Sequence, residues 1–517
     1  MNKLNSIFLF IFLFSVNMLA QHQDLSLTTR DKSLSEQQRK DPTIFADPAL
    51  SIKQIGQLNM IPSHEIESSF LSIGFECLDR EIFDPEKCYD KLGATGVKWA
   101  RCQTGWNRCE TVKGQYDFKW LDEVVDNLLQ RGIQPWFNVG FGNRLYMPEA
   151  YDQAVGWVPL YFGDEVLKAW GNYIKALTEH FKGRVIHYEL WNEPNINNFW
   201  QPGKANAPDY YKLISYTSDI IKKTDKKAKV GACVSGSLSG FVIDLIQLNV
   251  SEYIDFFAVH PYRIIPEKGY GSEIKSLRRL FDSNNGKHVE LWQGEVGFGS
   301  YFPPKHFLRT WTKGSETLQA KWLLRRYAVD LSEGLKLSSF FQMVDMNAKE
   351  YRTSQGPQDP CLHGILHGKT YEPKESYYAI SYFAALFDNK VQAKNLYLDI
   401  NWSRRNPSDA RVSRLQEVAV VTNSYEKEGY PVYLYYLPED VQMQYPGMTG
   451  IDIQILADAP KSIKKPVLID LLSGRVFSIT DKAGDWQKGN AFQHVPLTDY
   501  PLVVTDLDAF KDRITLF

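Results

Sequence analysis

Val185-Ile186-His187-Tyr188-Glu189-Leu190-Trp191-Asn192-Glu193-Pro194-Asn195 is the stretch whose reading decides the fold. It opens as an apolar run of aromatic and β-branched residues, the pattern of a buried strand. It ends in Asn-Glu, and a proline follows at once. Proline has no N–H for a ladder and biases the residue before it toward extended backbone. The strand is therefore expected to stop at Glu193, with a carboxyl group at its C-terminal tip. In a barrel of parallel strands, that tip is where chemistry is done.

Working outward, strands and helices alternate. Strands are expected at Leu71–Glu76, Val97–Arg101 and Ile133–Val139 before the quoted stretch, and at Lys229–Val234, Ile254–His260, His288–Glu295 and Leu337–Val344 after it. Helices fall between them. The clearest is Asp117–Arg131, where Leu121, Val124, Val125, Leu128 and Leu129 recur at helical spacing and Gly132 ends the run. Another opens at Asp84-Pro85, and the helix Glu375–Phe387 closes the series. Eight strand–helix units over roughly 320 residues imply an α/β fold, a (β/α)₈ TIM barrel. Beyond Asn389 the period changes to short strand-like runs, such as Pro431–Leu437 and Val467–Leu472, separated by turns such as Ser473-Gly474. That pattern predicts a C-terminal antiparallel β-sandwich. The division expected is a signal peptide at 1–20, an N-terminal tail at 21–63 ending in a strand or two of uncertain home, the barrel at 64–388 and the sandwich at 389–517.

Bulk properties narrow the partners. The 517 residues carry a formal net charge of −2 with no long charge run, so a nucleic-acid partner is not implied. Met1–Ala20 has one lysine, the apolar run Ile7–Phe14 and a small residue at Ala20, the layout of a secretory signal peptide. Secretion, or export to a periplasm, is the expectation, with no integral membrane segment after signal removal. Of the six cysteines, none forms a CxxC pair or a zinc pattern. Buried free thiols are expected, with Cys102–Cys109 or Cys77–Cys88 bridges as the alternative. Aromatics make up 14% of the chain, which suits both core packing and stacking on sugar rings.

Two strand ends present carboxylates in similar surroundings. The fourth barrel strand ends at Asn192-Glu193. The seventh, His288-Val289-Glu290-Leu291-Trp292-Gln293-Gly294-Glu295, ends at Glu295. Strands four and seven face each other across the mouth of an eight-strand barrel. Two carboxyl groups meeting there suit glycoside hydrolysis: one protonates the leaving oxygen, and the other attacks the anomeric carbon or activates water.

Trp191-Asn192-Glu193-Pro194-Asn195 together with Glu295 resembles clan A of the retaining glycoside hydrolases. Phe199-Trp200, Val97-Lys98-Trp99-Ala100-Arg101, Tyr116-Asp117-Phe118 and Gly132-Ile133-Gln134-Pro135 make the chain most similar to family 39 within it. The resemblance implies Glu193 as acid/base and Glu295 as nucleophile. It places Asn192 on the sugar 2-hydroxyl and Tyr262 on the nucleophile. His260 and Trp200 would support the site, and Arg101 would stabilise the nucleophile's charge by proximity. It departs from the clan at strand eight, where the clan usually places a Trp and this chain reads Ser338-Ser339-Phe340-Phe341-Gln342-Met343-Val344-Asp345. Glu76 and Asp79, just past the first strand, are read as sugar ligands or loop charge, and Glu189 as a barrel-interior residue with a polar partner. Aromatics of the strand-end loops, including Trp106, Phe141, Tyr146, Trp157 and Phe199, are divided between packing and sugar stacking. His363 and His367 sit four apart with no acid close in sequence and are read as not metal-binding.

The activity expected is retaining hydrolysis of O-glycosidic bonds in an oligo- or polysaccharide, exo-acting and β-xylosidase-like, with no metal or organic cofactor. An endo-acting clan A glycanase is the near rival, and a non-catalytic glycan-binding protein the rival from another class. A free carbohydrate-binding sandwich is also weighed, and packing of the sandwich on the barrel is preferred. Oligomeric state is left open.

Overall fold

The computed structural model of the chain describes residues 50, 52–302, 314–346, 352–353, 356–357, 362–404, 419–438, 451–458, 463–480 and 489–517. The signal peptide, most of the expected tail and Cys361 lie outside these residues.

Eight parallel strands close into a barrel. After β1 (Ile52–Leu58), which belongs elsewhere, they are β2 (Leu71–Gly74), β3 (Trp99–Gln103), β4 (Gln134–Val139), β5 (His187–Leu190), β6 (Lys229–Ser235), β7 (Phe256–His260), β8 (Glu290–Val296) and β9 (Ser338–Phe340). β9 pairs back onto β2 through Leu71 opposite Ser338, which leaves the barrel no edge. All eight expected strands are present, with ends shifted. β5 stops at Leu190 and does not run on to Glu193, because Trp191 and Glu193 turn to φ 69° and 45°, outside extended backbone. β9 keeps three of the eight expected residues.

The helices obey the apolar repeat. Lys119–Gln130 buries Leu121, Val124, Val125 and Leu128 against the barrel. Asn206, Ser239 and Ser315 cap the helices that follow them by accepting a backbone N–H, each satisfying a donor the helix cannot.

The barrel floor is an aromatic plug. Trp136, Phe256 and Trp292 point inward, with Phe256 stacked on Trp292 at 4.0 Å between centroids. Gly231 on β6 makes this possible, since a Cβ there would collide with the Phe256 ring. Above the plug, the Arg101 guanidinium lies 5.6 Å over Trp136. Polar groups begin at that height and continue to the mouth.

The second domain has two antiparallel sheets. The larger orders Val391–Ala393, Val421–Lys427, Tyr430–Tyr436, Leu502–Asp506, Pro466–Asp470, Arg475–Ile479, Ile52–Leu58 and Ile514–Leu516; the smaller orders Tyr397–Arg404, Ile451–Asp458 and Asn490–Pro496. β1 is the strand whose home the sequence leaves open. It pairs with Arg475–Ile479 and Ile514–Leu516, so a segment assigned to the tail completes this sheet.

The sandwich packs on the barrel through buried charge. Lys321 Nζ meets Asp499 Oδ1 at 2.8 Å, and Arg513 Nη2 meets Asp388 Oδ2 at 2.6 Å. Glu267 takes both an Arg325 fork and the Tyr436 hydroxyl, the latter at 2.9 Å. These contacts form only with the two domains docked. Cys77, Cys88, Cys102, Cys109 and Cys233 are buried free thiols, and neither alternative bridge forms.

Candidate active site

The turn after β5 is held from all sides. Asn138 on β4 donates to the Trp191 carbonyl at 2.5 Å, and the Trp191 indole donates to the Phe199 carbonyl at 2.6 Å. Asn195 and Ser235 on β6 exchange two hydrogen bonds, at 2.9 and 2.8 Å. Tyr210 donates to the Leu190 carbonyl at 2.6 Å. Left-handed backbone at a residue other than glycine costs about 1–3 kcal/mol and persists only where surrounding contacts over-determine it. Here those contacts put Asn192 and Glu193 at the mouth in one conformation.

Glu295 arrives from β8, one residue before the strand ends. One carboxylate oxygen of Glu193, one of Glu295 and a ring nitrogen of His260 all lie within 4.8 Å of one another. Tyr262, just past β7, donates to Glu295 Oε1 at 2.8 Å. Arg101 Nη1 donates to Glu295 Oε2 at 2.6 Å, and Arg101 Nη2 donates to Asn192 Oδ1 at 2.8 Å. The sequence-predicted residues Arg101, Asn192, Glu193, His260, Tyr262 and Glu295 therefore stand in one cluster.

The two carboxyl groups have different surroundings. Glu193 is fully buried, and burial pushes its carboxyl up to about 7, a rise opposed by Ser235 and by Arg101. Its Oε1 contacts His260 Nδ1 at 3.1 Å, while Oε2 has no hydrogen-bond partner among the described residues. Burial lowers His260 to about 4, so its ring is neutral at pH 7. Glu295 instead receives a guanidinium N–H and a phenol O–H. Glu193 is poised to hold a proton, while both oxygens of Glu295 face hydrogen-bond donors, a difference that acid-assisted displacement can use.

Arg101 does more than the sequence suggests. It also donates to Glu76 Oε2 at 3.0 Å and, through Nε at 3.1 Å and through Nη2, to Glu189 Oε1. Glu189 is thus the interior carboxylate expected, with Arg101 and Asn138 as its partners. Gly294 on β8 makes room for it, since a Cβ there would lie 3.1 Å from Glu189 Oε2. Glu76 belongs to the site, which strand position alone left undecided. It lies two residues past the end of β2, at a strand tip like the other two carboxylates.

Trp200, expected to support the site, lies behind the turn. It is fully buried, donates to the Tyr161 hydroxyl at 2.7 Å and packs edge-on against Trp191. It backs the turn and offers no face to a sugar. Trp106 and Phe141 are likewise buried packing, while Tyr146, Trp157 and Phe199 stay half-buried. Asp79 pairs with Arg80 at 3.5 Å. An acid does reach His367, which sits 3.2 Å from Glu316, distant in sequence.

Comparison with known proteins bears on the family and the fold. The model of the glycosyl hydrolases family 39 matches residues 94–292, which run from before β3 into β8. A β-xylosidase of Geobacillus stearothermophilus is 25% identical over 315 residues, 54% of this chain and 58% of that protein. A β-xylosidase of Caldicellulosiruptor saccharolyticus is 27% identical over 198 residues, 34% of this chain and 38% of that protein. The chain thus spans about half the length of these relatives or less. A solved family 39 glycoside hydrolase from Bacteroides cellulosilyticus superposes with a TM-score of 0.63 at 18% identity, covering 86% of this chain and 82% of that one. That likeness covers the fold of barrel and sandwich together. By its sequence across the middle of the barrel, and by the architecture that carries it, this chain is a barrel-and-sandwich protein similar to the glycosyl hydrolases family 39.

Proposed function

We propose that the protein is a retaining glycoside hydrolase, with Glu193 as acid/base and Glu295 as nucleophile. The observation that carries this reading is the approach of the two carboxylates, with oxygens inside 4.8 Å. Retaining enzymes hold their carboxyl groups about 5–5.5 Å apart, whereas inverting enzymes need roughly 6.5–9.5 Å to admit a water. In the first step Glu295 attacks the anomeric carbon as Glu193 passes its proton to the departing oxygen, and a glycosyl-enzyme ester forms. In the second, Glu193 takes a proton from water, the water oxygen bonds the anomeric carbon and the Glu295 ester bond breaks. Asn192, held by Arg101, is placed to bind the 2-hydroxyl, a contact that strengthens as the transition state is reached. The names of the relatives favour a β-xyloside and exo action. The apolar segment near the N-terminus supports export, although no helix among the described residues is long and apolar enough to cross a membrane.

Glu193→Ala tests the assignment. Hydrolysis of a 4-methylumbelliferyl β-xyloside should fall by about 10²–10⁴-fold, the usual worth of general acid catalysis. A 2,4-dinitrophenyl β-xyloside, whose leaving group needs no proton, should still release a burst of phenolate. Added azide should then speed turnover and yield the β-glycosyl azide. Equal loss on both substrates would remove Glu193 from the acid role.

The pH profile provides a second check. Protonated Glu193 is the active form in the first step, and its carboxyl sits near 7. kcat/KM should therefore fall about tenfold per pH unit above that value. The alkaline limb should flatten in Glu193→Ala with the dinitrophenyl substrate, and a limb left in place would assign it to another group.

A further inference from the structure

Two buried side chains at the mouth have polar atoms that the proposed mechanism does not use. Gln342, just past β9, is completely buried, and neither its amide oxygen nor its amide nitrogen has a partner among the described residues. Glu76, just past β2, is 1% exposed; its Oε2 takes an N–H from Arg101, while its Oε1 has no partner. β2 and β9 are neighbours in the barrel. Both residues border the same spot, the face of Gly74, Glu76 through its unpartnered oxygen and Gln342 through its Cβ. A Cβ at Gly74 would lie 2.8 Å from Glu76 Oε1 and 3.3 Å from the Cβ of Gln342. Glu76 shares Arg101 Nη1 with Glu295, which ties this spot to the nucleophile's side of the mouth.

A buried amide without partners costs free energy, and so does a buried carboxyl oxygen. Both can be satisfied by a ligand entering the mouth. The backbone at Gln342 is fixed: its N–H donates to the His363 carbonyl at 3.2 Å, its carbonyl accepts from Ile365 at 3.0 Å, and Met343 N–H donates to the Gly74 carbonyl at 2.9 Å.

We propose that Glu76 and Gln342 form a hydrogen-bonding wall that reads two adjacent free hydroxyls on a neutral sugar in the cleavage subsite. This rests on the glycosidase reading above and names the substrate class for it. A primary amide offers one acceptor and two donors, and a carboxyl oxygen beside it adds a third kind of contact. Such a pair suits vicinal hydroxyls, each of which both gives and takes a hydrogen bond. Burial pushes Glu76 up to about 8 despite Arg101, so at neutral pH it can donate as well as accept. Charge argues against a uronic acid or a sulfated sugar here. The cation among these carboxyl groups, Arg101, already pairs with Glu76, Glu189 and Glu295 and has no N–H left for an anionic substituent. All five N–H groups of Arg101 are committed, to Glu189, Asn192, Glu76 and Glu295.

The test uses the full-length protein and 4-nitrophenyl β-glycosides of xylose, glucose, galactose and glucuronic acid. The 3-deoxy and 4-deoxy forms of the best neutral glycoside are then compared in wild type, Gln342→Met and Glu76→Gln. In wild type, loss of a hydroxyl that the wall reads should lower kcat/KM by roughly 10–100-fold. In Gln342→Met, the parent glycoside should fall by a similar factor, and the deoxy penalty should shrink to under about threefold. The glucuronide should be turned over far more slowly than the neutral glycosides. Melting temperatures confirm that the variants are folded, and Gln342→Glu replaces the methionine variant should that one not fold. A deoxy penalty unchanged in both the Gln342 and Glu76 variants overturns the wall while leaving the glycosidase intact, as does a preference for the glucuronide. No turnover of any glycoside by wild type overturns the glycosidase reading and this one with it.

Discussion

Glu295→Gln is expected to lower kcat by roughly 10⁴-fold or more on any glycoside the enzyme cleaves, the scale seen when a covalent nucleophile is removed. The substitution keeps the shape of the side chain. Its one amide oxygen can still accept from Arg101 Nη1, which lies 2.6 Å from Oε2, and the amide nitrogen then faces the Tyr262 hydroxyl, 2.8 Å from Oε1, which can accept in place of donating. What it removes is the charge that forms the glycosyl ester. KM should change little by comparison, because the amide still fills the same space. The loss should also be insensitive to the leaving group, which separates it from Glu193→Ala, where an activated leaving group restores the first step. Azide distinguishes the two sites again. Rescue of Glu295→Ala should give the α-glycosyl azide, since the anion then enters from the face the nucleophile vacated. Turnover of Glu295→Gln within tenfold of wild type would sink the nucleophile assignment.

Arg101→Met should be the most destabilising single change at the mouth. The guanidinium is fully buried and joins Glu76, Glu189 and Glu295. Removing one partner of a buried ion pair costs about 3–5 kcal/mol, because the remaining charge is left unpaired in a medium that solvates it poorly. Here three carboxyl groups lose their shared cation together. The loss should appear as a drop of several degrees in melting temperature, and it should depend on pH in a defined direction. As pH falls, the stranded carboxyls take up protons and their repulsion disappears, so the gap between variant and wild type should narrow at acid pH and widen toward neutrality. A gap that stays constant with pH would mean that lost packing over Trp136, not unpaired charge, is the main cost. Activity should fall as well, since Arg101 also orients Asn192 at 2.8 Å.

The two effects have one origin. The barrel floor is filled with Trp136, Phe256 and Trp292, so the first polar layer rests on aromatic rings and not on water. A charge placed there must be matched by another charge. Arg101 supplies a match for the carboxyl groups around it, while burial raises Glu193 toward the form that holds its proton. The device that makes the site reactive is therefore the same one that makes it fragile.

Much of this was legible along the chain. Helical repeats such as Leu121, Val124, Val125 and Leu128 are local, and they turned inward as written. Eight alternations of strand and helix can close as a parallel barrel, and they do. That topology alone sets strand four against strand seven, so Glu193 and Glu295 could be paired across 102 residues. A proline after Glu193 marked the end of a strand, but not where the ladder breaks. The break comes earlier, at Leu190, because the left-handed turn at Trp191 depends on Asn138, Phe199 and Ser235, which arrive from other elements.

What the chain by itself determined is the alternation of elements, the sandwich after it and the residues able to do acid–base chemistry, all set by short-range periodicity and strand ends. The tertiary structure decided which of those residues share an environment. Trp200 proves to be core, and only packing shows which face of an indole is covered. β1 joins a sheet whose partners lie more than 400 residues away, a pairing no local pattern encodes. Glu76 read equally as a sugar ligand or a loop charge until the fold buried it beside Arg101. Protonation and specificity follow from desolvation and from distances among groups far apart in the chain, and those quantities exist only once the barrel has closed.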